Sequence, residues 1–236
     1  MSWSYSKLLV FEQCRYHYKL RHIDKLAEDK HPAAERGTQV HQYCEDFVTG
    51  KLKSLATEML KFDHDFIALK REYVANNVSL EGEWGFDSDW NVTAYKTAWL
   101  RMKADAVVFN KAKTEAIVVD YKTGQKFGNE IKHGEQVQLY ALATAIRVPT
   151  VKKIKVELWY LDKDDLTQTD YTREHALNFV KPFHKRAMKL ENAKTWEPNP
   201  NVFTCKYCPY GPQKQNICPH GMTSSMTLSN YRKQYA

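Results

Sequence analysis

The chain has 236 residues, a formal net charge of +7 and a pI near 9.0, and 13% of its residues are aromatic. This length can bury a core as one domain, or as one domain with an appendage, and the basic balance favours a polyanionic partner. No stretch approaches the ~20 apolar residues of a membrane span, and the first residues lack a signal-peptide core, so we expect no membrane association and a cytoplasmic location.

The first predicted element is a helix over residues 4–22. Ser4 or Ser6 can cap its first N–H groups. Cys14 lies beside a face of residues at helical spacing, which are Leu8, Phe11, Arg15 and Tyr18. Taken alone, such a cysteine is most often a buried thiol.

Two further helical stretches follow a polar loop at residues 24–34. The first, over about 33–48, contains the run Arg36-Gly37-Thr38-Gln39-Val40-His41. A lone helical histidine of this kind is usually structural. The second stretch, over 51–77, carries an apolar stripe that we assign to the core.

A strand is predicted over residues 78–86, where apolar and polar residues alternate. Glu81 and Glu83 share one of its faces, because side chains two apart in a strand point the same way. Either could bring a carboxylate near a metal, but solvated strand residues are the more common outcome. Residues 87–97 are rich in turn-forming residues and predict a loop.

The stretch from Asp105 to Lys122 predicts a β-hairpin, since two apolar runs flank the polar residues 110–114. A turn centred between Ala112 and Lys113 would place Asp105 opposite Asp120, with Cβ atoms roughly 5 Å apart. Asp120 and Lys122 are two residues apart and share a face. Two carboxylates and an ammonium group would therefore converge at one end of the hairpin.

Such a convergence suits metal chemistry. Closely spaced carboxylates repel each other unless a cation lies between them, and Mg²⁺ prefers oxygen ligands. Lys122 would then orient a water molecule or neutralise charge in the transition state. The alternative is an acidic residue at a strand end followed by a solvated lysine.

The region after the hairpin alternates helix and strand. A flexible exit containing Lys126 leads to a helix over about 130–147, on which Gln136 and Tyr140 are four apart and face the same way. A strand over 152–161 has one buried face, and a short return strand follows at 167–171. The last long helix spans 173–194, with Pro182 as a predicted kink.

From Trp196 on, prolines exclude long regular structure, and cysteines recur. The pair Cys205-x-x-Cys208 allows both thiolates to reach one metal, and Cys218 follows. Together with Cys14 they make four thiolates available, which is the number that a 4Fe–4S cluster needs. Zinc bound by Cys205, Cys208, Cys218 and His220 is an alternative, as are unliganded thiols.

Asp105, Asp120 and Lys122 together resemble the PD-(D/E)XK nuclease superfamily, which carries an Asp on one strand and Asp/Glu-x-Lys on the next. Ala104 stands where the family often has proline. The chain is similar to the RecB-type members in particular, because further motifs follow in family order. They are Cys14, His41, Gln136, Tyr140, Cys205, Cys208 and Cys218. The gap before Cys218 is longer than is usual in the family.

The resemblance implies an α/β fold with a central mixed β-sheet flanked by helices. Residues 1–195 would form the nuclease domain and 196–221 an iron–sulfur segment packed on the first helix. A polar tail would occupy 222–236. The cluster ligands implied are Cys14, Cys205, Cys208 and Cys218, and Cys44 matches no ligand position.

The resemblance also implies a site and a substrate. Mg²⁺ or Mn²⁺ would be held by His41, Asp105, Asp120 and the backbone carbonyl of Tyr121, and the catalytic residues would be Asp105, Asp120 and Lys122. The residues implied to contact DNA are Gln136, Tyr140, Arg36 and Lys126. The expected activity is that of a single-stranded DNA exonuclease in replication, recombination or repair, with a helicase or recombination protein as a candidate partner.

Two alternatives stand beside this expectation, and the second belongs to a different class of function. One is a subunit that trims DNA ends only within a larger complex, of the CRISPR-adaptation or helicase–nuclease type. The other is a DNA-binding module without catalytic activity, although the presence of Asp105, Asp120 and Lys122 argues against it.

Overall fold

The described part of the chain, residues 1–29, 32–124 and 126–223 of a computed structural model, forms two compact units. The first unit comprises Met1–Tyr5 and His31–Lys185, and the second comprises Ser6–Lys30 and Arg186–Ala236. The division at residue 195 drawn from the sequence stays a prediction. The predicted tail lies outside the described residues from residue 224 onward.

A mixed six-stranded sheet is the framework of the described part of the first unit. The strands are β1 (Val78–Phe86), β2 (Val92–Thr93), β3 (Leu100–Phe109), β4 (Glu115–Lys122), β5 (Lys153–Tyr160) and β6 (Asp165–Thr172). Their order is β2-β1-β3-β4-β5-β6, in which β4 and β5 are parallel and the other neighbours are antiparallel. Helices flank this sheet, which confirms the predicted α/β fold with a central mixed sheet.

The hairpin β3–β4 has the predicted register, with Ala106 facing Val119. Its turn is held by Asn110, whose side-chain oxygen accepts backbone N–H groups from the start of β4. The paired ladder ends at Ala106 and Val119, so Asp105 and Asp120 lie one position beyond the last pair. The strands thus deliver both carboxylates to the same end of the hairpin.

Helix α5 (Glu130–Arg147) connects β4 to β5. Two neighbouring parallel strands must be joined by such a crossover, because a tight turn would make the second strand antiparallel to the first. The buried residues of this helix include Val137, Leu139, Tyr140 and Leu142. Its bounds are those predicted from the sequence, and it carries Gln136 and Tyr140 one turn apart.

Helices α3 (Pro32–Thr49) and α4 (Asp63–Val74) pack with the sheet into an apolar cluster that includes Tyr121 and Trp159. The helix predicted over 51–77 is wrong in its first half, where a 3₁₀ turn (Thr57–Phe62) precedes α4. A 3₁₀ turn places Met59 and Phe62, three apart, on one side, and both are buried.

The second unit contains the chain from Ser6 to Lys30 and the cysteine-rich region near the C-terminus. Here the helix predicted over 4–22 is interrupted: α1 (Tyr5–Gln13) and α2 (Arg15–Tyr18) are separated by Cys14, and a π-helical turn (Lys19–Ile23) follows. Cys14 has an extended backbone, with φ −160° and ψ 112°. A short helix, α8 (Val202–Tyr207), carries Cys205.

The helix predicted over 173–194 is two helices, α6 (Arg173–Leu177) and α7 (Val180–Glu191). Pro182 explains the break, since it lacks the N–H that would bond to the carbonyl of Asn178 in a continuous helix. Across residues 1–29, 32–124 and 126–223, we find no helix whose length and apolar character would let it cross a membrane.

Candidate active site

Asp105 is held at the end of the hairpin by two hydrogen bonds. The backbone N–H of Tyr121 donates to its Oδ2 at 2.7 Å, and the Nδ1 of His41 lies 3.1 Å from its Oδ1. The first bond replaces the ladder bond that is missing where β3 and β4 separate. The second brings α3 to the same point, because His41 lies on that helix. The structure therefore joins the predicted residues His41, Asp105 and Tyr121.

Glu81 completes this group from the neighbouring strand β1. One donor atom each from His41, Glu81 and Asp105 lies within 4.8 Å of the others. Within the ranges that the structure describes, this is the one group of three His, Cys, Asp or Glu side chains at metal-binding spacing. The sequence marks Glu81 as a candidate carboxylate near a metal, although a solvated strand residue is the more common outcome.

The backbone of Glu81 is unusual for a strand residue. Its φ is +46°, in the left-handed region that glutamate rarely adopts. The β1–β3 ladder passes from the Leu80–Ala106 pair to the Gly82–Ala104 pair and skips Glu81, which would face Asp105. By contrast, Glu83 is exposed and pairs with Lys103 at 3.4 Å. Strain of this kind concentrates at functional sites, which suggests a role for Glu81.

A second group fixes Asp120 and Lys122 from α5. The Nζ of Lys122 donates to Gln136 Oε1 at 2.8 Å and lies 2.5 Å from Asp120 Oδ2, as an ion pair without hydrogen-bond alignment. The Tyr140 hydroxyl lies 2.8 Å from Asp120 Oδ1 and 3.0 Å from the Lys103 carbonyl, and accepts from Gln136 Nε2 at 3.1 Å. The predicted pair Gln136 and Tyr140 thus braces the catalytic candidates.

Burial and mutual repulsion govern the charges of the metal-binding group. Burial raises the pKa of Asp105, and the neighbouring charge of Asp120 raises it further against the bond from His41. Burial also raises the pKa of Glu81, with Asp105 as the next cause. Burial lowers the pKa of His41, but the bond to Asp105 and the surrounding carboxylates outweigh it and raise the pKa overall. This cluster of acids favours a cation.

These residues fit a hard divalent cation by their chemistry. Carboxylate oxygens suit both Mg²⁺ and Mn²⁺, and the His41 imidazole offers a nitrogen ligand beside them. Asp120 Oδ2 is buried 2.5 Å from Lys122 Nζ, and the charge of Asp120 acts on Asp105, so Asp120 adds a carboxylate next to this group. His41, Glu81 and Asp105 could therefore hold a cation, and Asp120 is a neighbouring oxygen donor.

The two basic residues predicted to contact DNA each have an acidic partner. Arg36 forms a two-pronged pair with Asp162, at 2.9 and 2.7 Å. The Nζ of Lys126 lies 2.7 Å from Asp165 Oδ2 and 5.5 Å from the centre of the Tyr160 ring. Both residues lie around the turn between β5 and β6. Their contact with nucleic acid stays a prediction.

The second unit brings the four candidate cysteines to one cavity. Its lining includes Cys14, Cys205, Cys208 and Cys218, together with His220. The extended backbone at Cys14 interrupts the first helix at this point, and the N–H of Asn199 lies 3.5 Å from its sulfur. Burial raises the pKa of Cys208 to about 11, with the other three thiols as further causes. The four thiols are thus electrostatic neighbours.

Cys44 is separate from these thiols in both position and surroundings. It lies on α3 in the first unit, fully buried in the apolar cluster. Burial raises the pKa of its thiol, which keeps the group protonated. This agrees with the packing role that the sequence indicated.

Comparison with known proteins places these residues in a wider context. The family model described as "PD-(D/E)XK nuclease superfamily" matches residues 2–219 of the chain. The solved structure of SSO0001 is 16% identical over 94% of this chain and 88% of its own, with a TM-score of 0.44. A protein from Eubacterium rectale whose name proposes an exonuclease is 13% identical over 97% of this chain and 92% of its own, with a TM-score of 0.52. The similarity to the Eubacterium rectale protein is a similarity of fold alone. No curated protein matches the chain.

Proposed function

This chain belongs to the PD-(D/E)XK nuclease superfamily, and we propose that it is a metal-dependent deoxyribonuclease that degrades single-stranded DNA from an end. One observation carries the proposal: the donor atoms of His41, Glu81 and Asp105 lie within 4.8 Å of one another at the hairpin end that also presents Lys122. A solvated acidic cluster would not need a buried carboxylate, a strained glutamate and a fixed lysine together.

The proposed cofactor is Mg²⁺ or Mn²⁺, held by His41, Glu81 and Asp105. Asp120 and the backbone carbonyl of Tyr121 are the further oxygen donors that we propose for it. When bound, the ion polarises a phosphoryl oxygen and lowers the pKa of a bound water. Asp105 is suited to this role because its hydrogen bonds from His41 and Tyr121 already fix its orientation.

The remaining chemistry falls to Lys122. Gln136 and Asp120 hold its ammonium group, so the group is already in position before a substrate binds. From there it would orient the attacking water and stabilise negative charge that develops on the phosphate. The hydroxyl of Tyr140 fixes Asp120, so Tyr140 is a positioning residue that affects the reaction through Asp120.

The substrate class follows from the family and the charge of the chain. The superfamily acts on nucleic acid, and a net charge of +7 favours a polyanion. The name of the Eubacterium rectale protein motivates the choice of exonuclease over endonuclease. Arg36 and Lys126 would guide the strand, each held in place by its acidic partner.

The test compares linear and circular single-stranded DNA, end-labelled where an end exists, with and without Mg²⁺ or Mn²⁺. We expect the wild type to degrade the linear strand only with metal and to leave the circle intact. Asp120→Ala and Lys122→Ala should lose cleavage by roughly 100-fold or more, while retaining the fold. Near-normal turnover by either variant would remove the proposed active site, and cleavage of the circle would show an endonuclease.

We also propose that Cys14, Cys205, Cys208 and Cys218 bind a 4Fe–4S cluster. All four line one cavity, and no three metal-binding atoms of the second unit's described residues come within 4.8 Å of one another. Zinc would need its ligands closer, because tetrahedral Zn–S bonds of about 2.3 Å place sulfurs less than ~4 Å apart. A cluster accepts wider spacing, because each thiolate binds a different iron.

The cysteine loop is built for a close backbone approach. Gly211 donates its N–H to the Cys208 carbonyl at 2.9 Å, and a Cβ at this position would lie 2.3 Å from the Cys205 carbonyl oxygen. Cys218 is held in turn by its N–H bond to the Tyr210 carbonyl at 2.8 Å. These backbone contacts support a preformed ligand loop. Binding of a cluster there would add its free energy to folding.

A further inference from the structure

Two exposed apolar side chains mark the turn between β4 and α5. Phe127 is 84% exposed and Ile131 is 80% exposed, the highest values among large hydrophobic residues in the described part of the first unit. Scattered exposed apolar residues are normal, but these two lie four residues apart, with Phe127 just before α5 and Ile131 in its first turn. Two backbone bonds fix this turn, from Asn129 to Lys126 and from His133 to Asn129.

This turn lies next to the proposed active site. Lys126, the neighbour of Phe127 in sequence, places its ammonium group 5.5 Å from the centre of the Tyr160 ring. Tyr160 is the residue of β5 that pairs with Lys122 on β4. The Tyr160 hydroxyl also contacts His133 Nδ1 at 2.7 Å, which fixes the first turn of α5 to the same strand. The turn that carries Phe127 is therefore tied, through Lys126 and Tyr160, to the strand pair that carries Lys122.

Lysines flank the pair on both sides. Lys126 and the exposed Lys132 enclose Phe127 and Ile131 in sequence, with Glu130 between the two apolar residues and Asp165 as the ionic partner of Lys126. An apolar surface between cations fits a ligand that has both phosphates and flat apolar groups. Single-stranded nucleic acid has this combination, because its phosphates follow the cations while its bases stack on aromatic side chains.

A protein partner fits the same surface less well. A stable protein interface needs about 800 Å² from each partner, which two side chains cannot supply. A single nucleobase, in contrast, is matched in size by one aromatic ring and one branched aliphatic side chain.

We propose that Phe127 and Ile131 form a stacking surface for one unpaired base of the nucleic-acid substrate whose neighbouring phosphate lies at Lys122. This inference rests on the proposed nuclease function and adds a reason for a preference for single strands. A base within a duplex has both faces covered by its neighbours, whereas an unpaired base can leave the base stack and contact Phe127. Stacking tolerates every base, so the surface should confer no sequence preference.

The test measures kcat and KM on short single-stranded oligonucleotides in which one abasic residue is moved along the strand. Phe127→Ala should raise KM roughly 5-fold to 100-fold with kcat nearly unchanged, because one stacked base is lost. Phe127→Tyr should restore the wild-type KM, since a tyrosine ring stacks equally well. Val74→Ala is the matched control, since Val74 is also exposed, at 74%, and lies on α4.

The abasic series separates stacking from a general loss of structure. In the wild type, an abasic residue at one position should raise KM as much as Phe127→Ala does, and in Phe127→Ala the same substitution should add nothing. If the abasic residue and Phe127→Ala raise KM in a fully additive way, the stacking surface is overturned. A KM of Phe127→Ala equal to that of Val74→Ala would overturn it too. An altered sedimentation coefficient of Phe127→Ala with unchanged KM would instead show a protein interface and overturn it as well.

A binding measurement keeps this inference distinct from the proposed function. Oligonucleotides containing 2-aminopurine are titrated with metal-free protein, where stacking quenches fluorescence. Quenching by the wild type that Phe127→Ala lacks supports the surface, and equal quenching by both overturns it. A wild type that cleaves nothing with either metal contradicts the nuclease proposal alone, because this binding test needs no cleavage.

Discussion

Glu81 shows how a single residue can be decisive at this site. Its left-handed backbone and its place in the gap of the β1–β3 ladder direct its carboxylate to His41 and Asp105. Period-two alternation would group it with Glu83, which instead pairs with Lys103. A residue that departs from its strand in this way has a cost of order 1–3 kcal/mol, and such strain is concentrated at functional sites.

Glu81→Gln and Glu83→Gln therefore form a matched pair. We expect Glu81→Gln to raise the Mn²⁺ concentration needed for half-maximal cleavage by roughly 10-fold or more, because it removes one charged ligand. It should also raise the melting temperature of the metal-free protein, since Glu81 and Asp105 repel each other. Metal titrations of cleavage and thermal melts measure both effects. Equal behaviour of the two variants would show that Glu81 is not a ligand.

At the scale of elements, α5 and the hairpin form one braced unit. The hydroxyl of Tyr140 on α5 reaches Asp120 on β4 and the Lys103 carbonyl on β3. A crossover helix is needed wherever β4 and β5 run parallel, and here the same helix also orients the carboxylate. The catalytic geometry is thus tied to the packing of the sheet.

Tyr140→Phe tests this bracing. It removes a hydroxyl from Asp120 Oδ1, which should cost roughly 1–3 kcal/mol of stability. We expect kcat to fall roughly 10-fold to 100-fold, because Asp120 and Lys122 are less well positioned. The control is Tyr121→Phe, which removes a buried hydroxyl that has no hydrogen bond among the described residues, so stability should hold or rise. Equal melting temperatures and equal cleavage rates of the two variants would contradict the bracing role of Tyr140.

The π-helical turn at Lys19–Ile23 gives the second unit a pH dependence through His22. Burial lowers the pKa of His22 to about 4, with the positive charges of Arg21 and Lys7 as the next causes and Glu28 opposing them. In the unfolded chain His22 has its ordinary pKa of 6.5, so below that pH the unfolded chain takes up more protons than the folded chain. Stability should therefore fall as the pH decreases from about 6.5 to about 4.

His22→Gln removes the titrating group and should flatten this fall. Melting temperatures measured across the same pH window compare it with the wild type. His64→Gln, which alters an exposed histidine of the first unit, is the control. A His22→Gln curve as steep as that of the wild type would place the acid sensitivity elsewhere.

At the scale of the whole molecule, the proposed catalytic residues and the proposed cluster ligands belong to different units. Cys14→Ser should bleach the brown protein expected from anaerobic purification and lower its melting temperature, because the cluster contributes folding free energy. Cys44→Ser should keep the colour, since Cys44 lies in the apolar cluster of the first unit. Colourless protein with stoichiometric zinc would contradict the cluster.

Much of this arrangement could be predicted from the sequence, for identifiable reasons. The hairpin register followed from the polar break between two apolar runs, and the bounds of α5 followed from its periodicity and from Pro149 after it. The role of Glu81 could not be predicted, since it depends on a left-handed backbone within a strand. The interruption at Cys14 was missed as well, because residues 4–22 have helical periodicity throughout.

The central claim is that a divalent cation binds His41, Glu81 and Asp105 beside Lys122. Anomalous scattering from crystals soaked in Mn²⁺ tests it most directly, with Lys122→Ala protein and a bound oligonucleotide to prevent turnover. We predict one strong peak in contact with His41, Glu81 and Asp105. Well-ordered crystals with saturating Mn²⁺ and no peak at these three side chains would contradict the account.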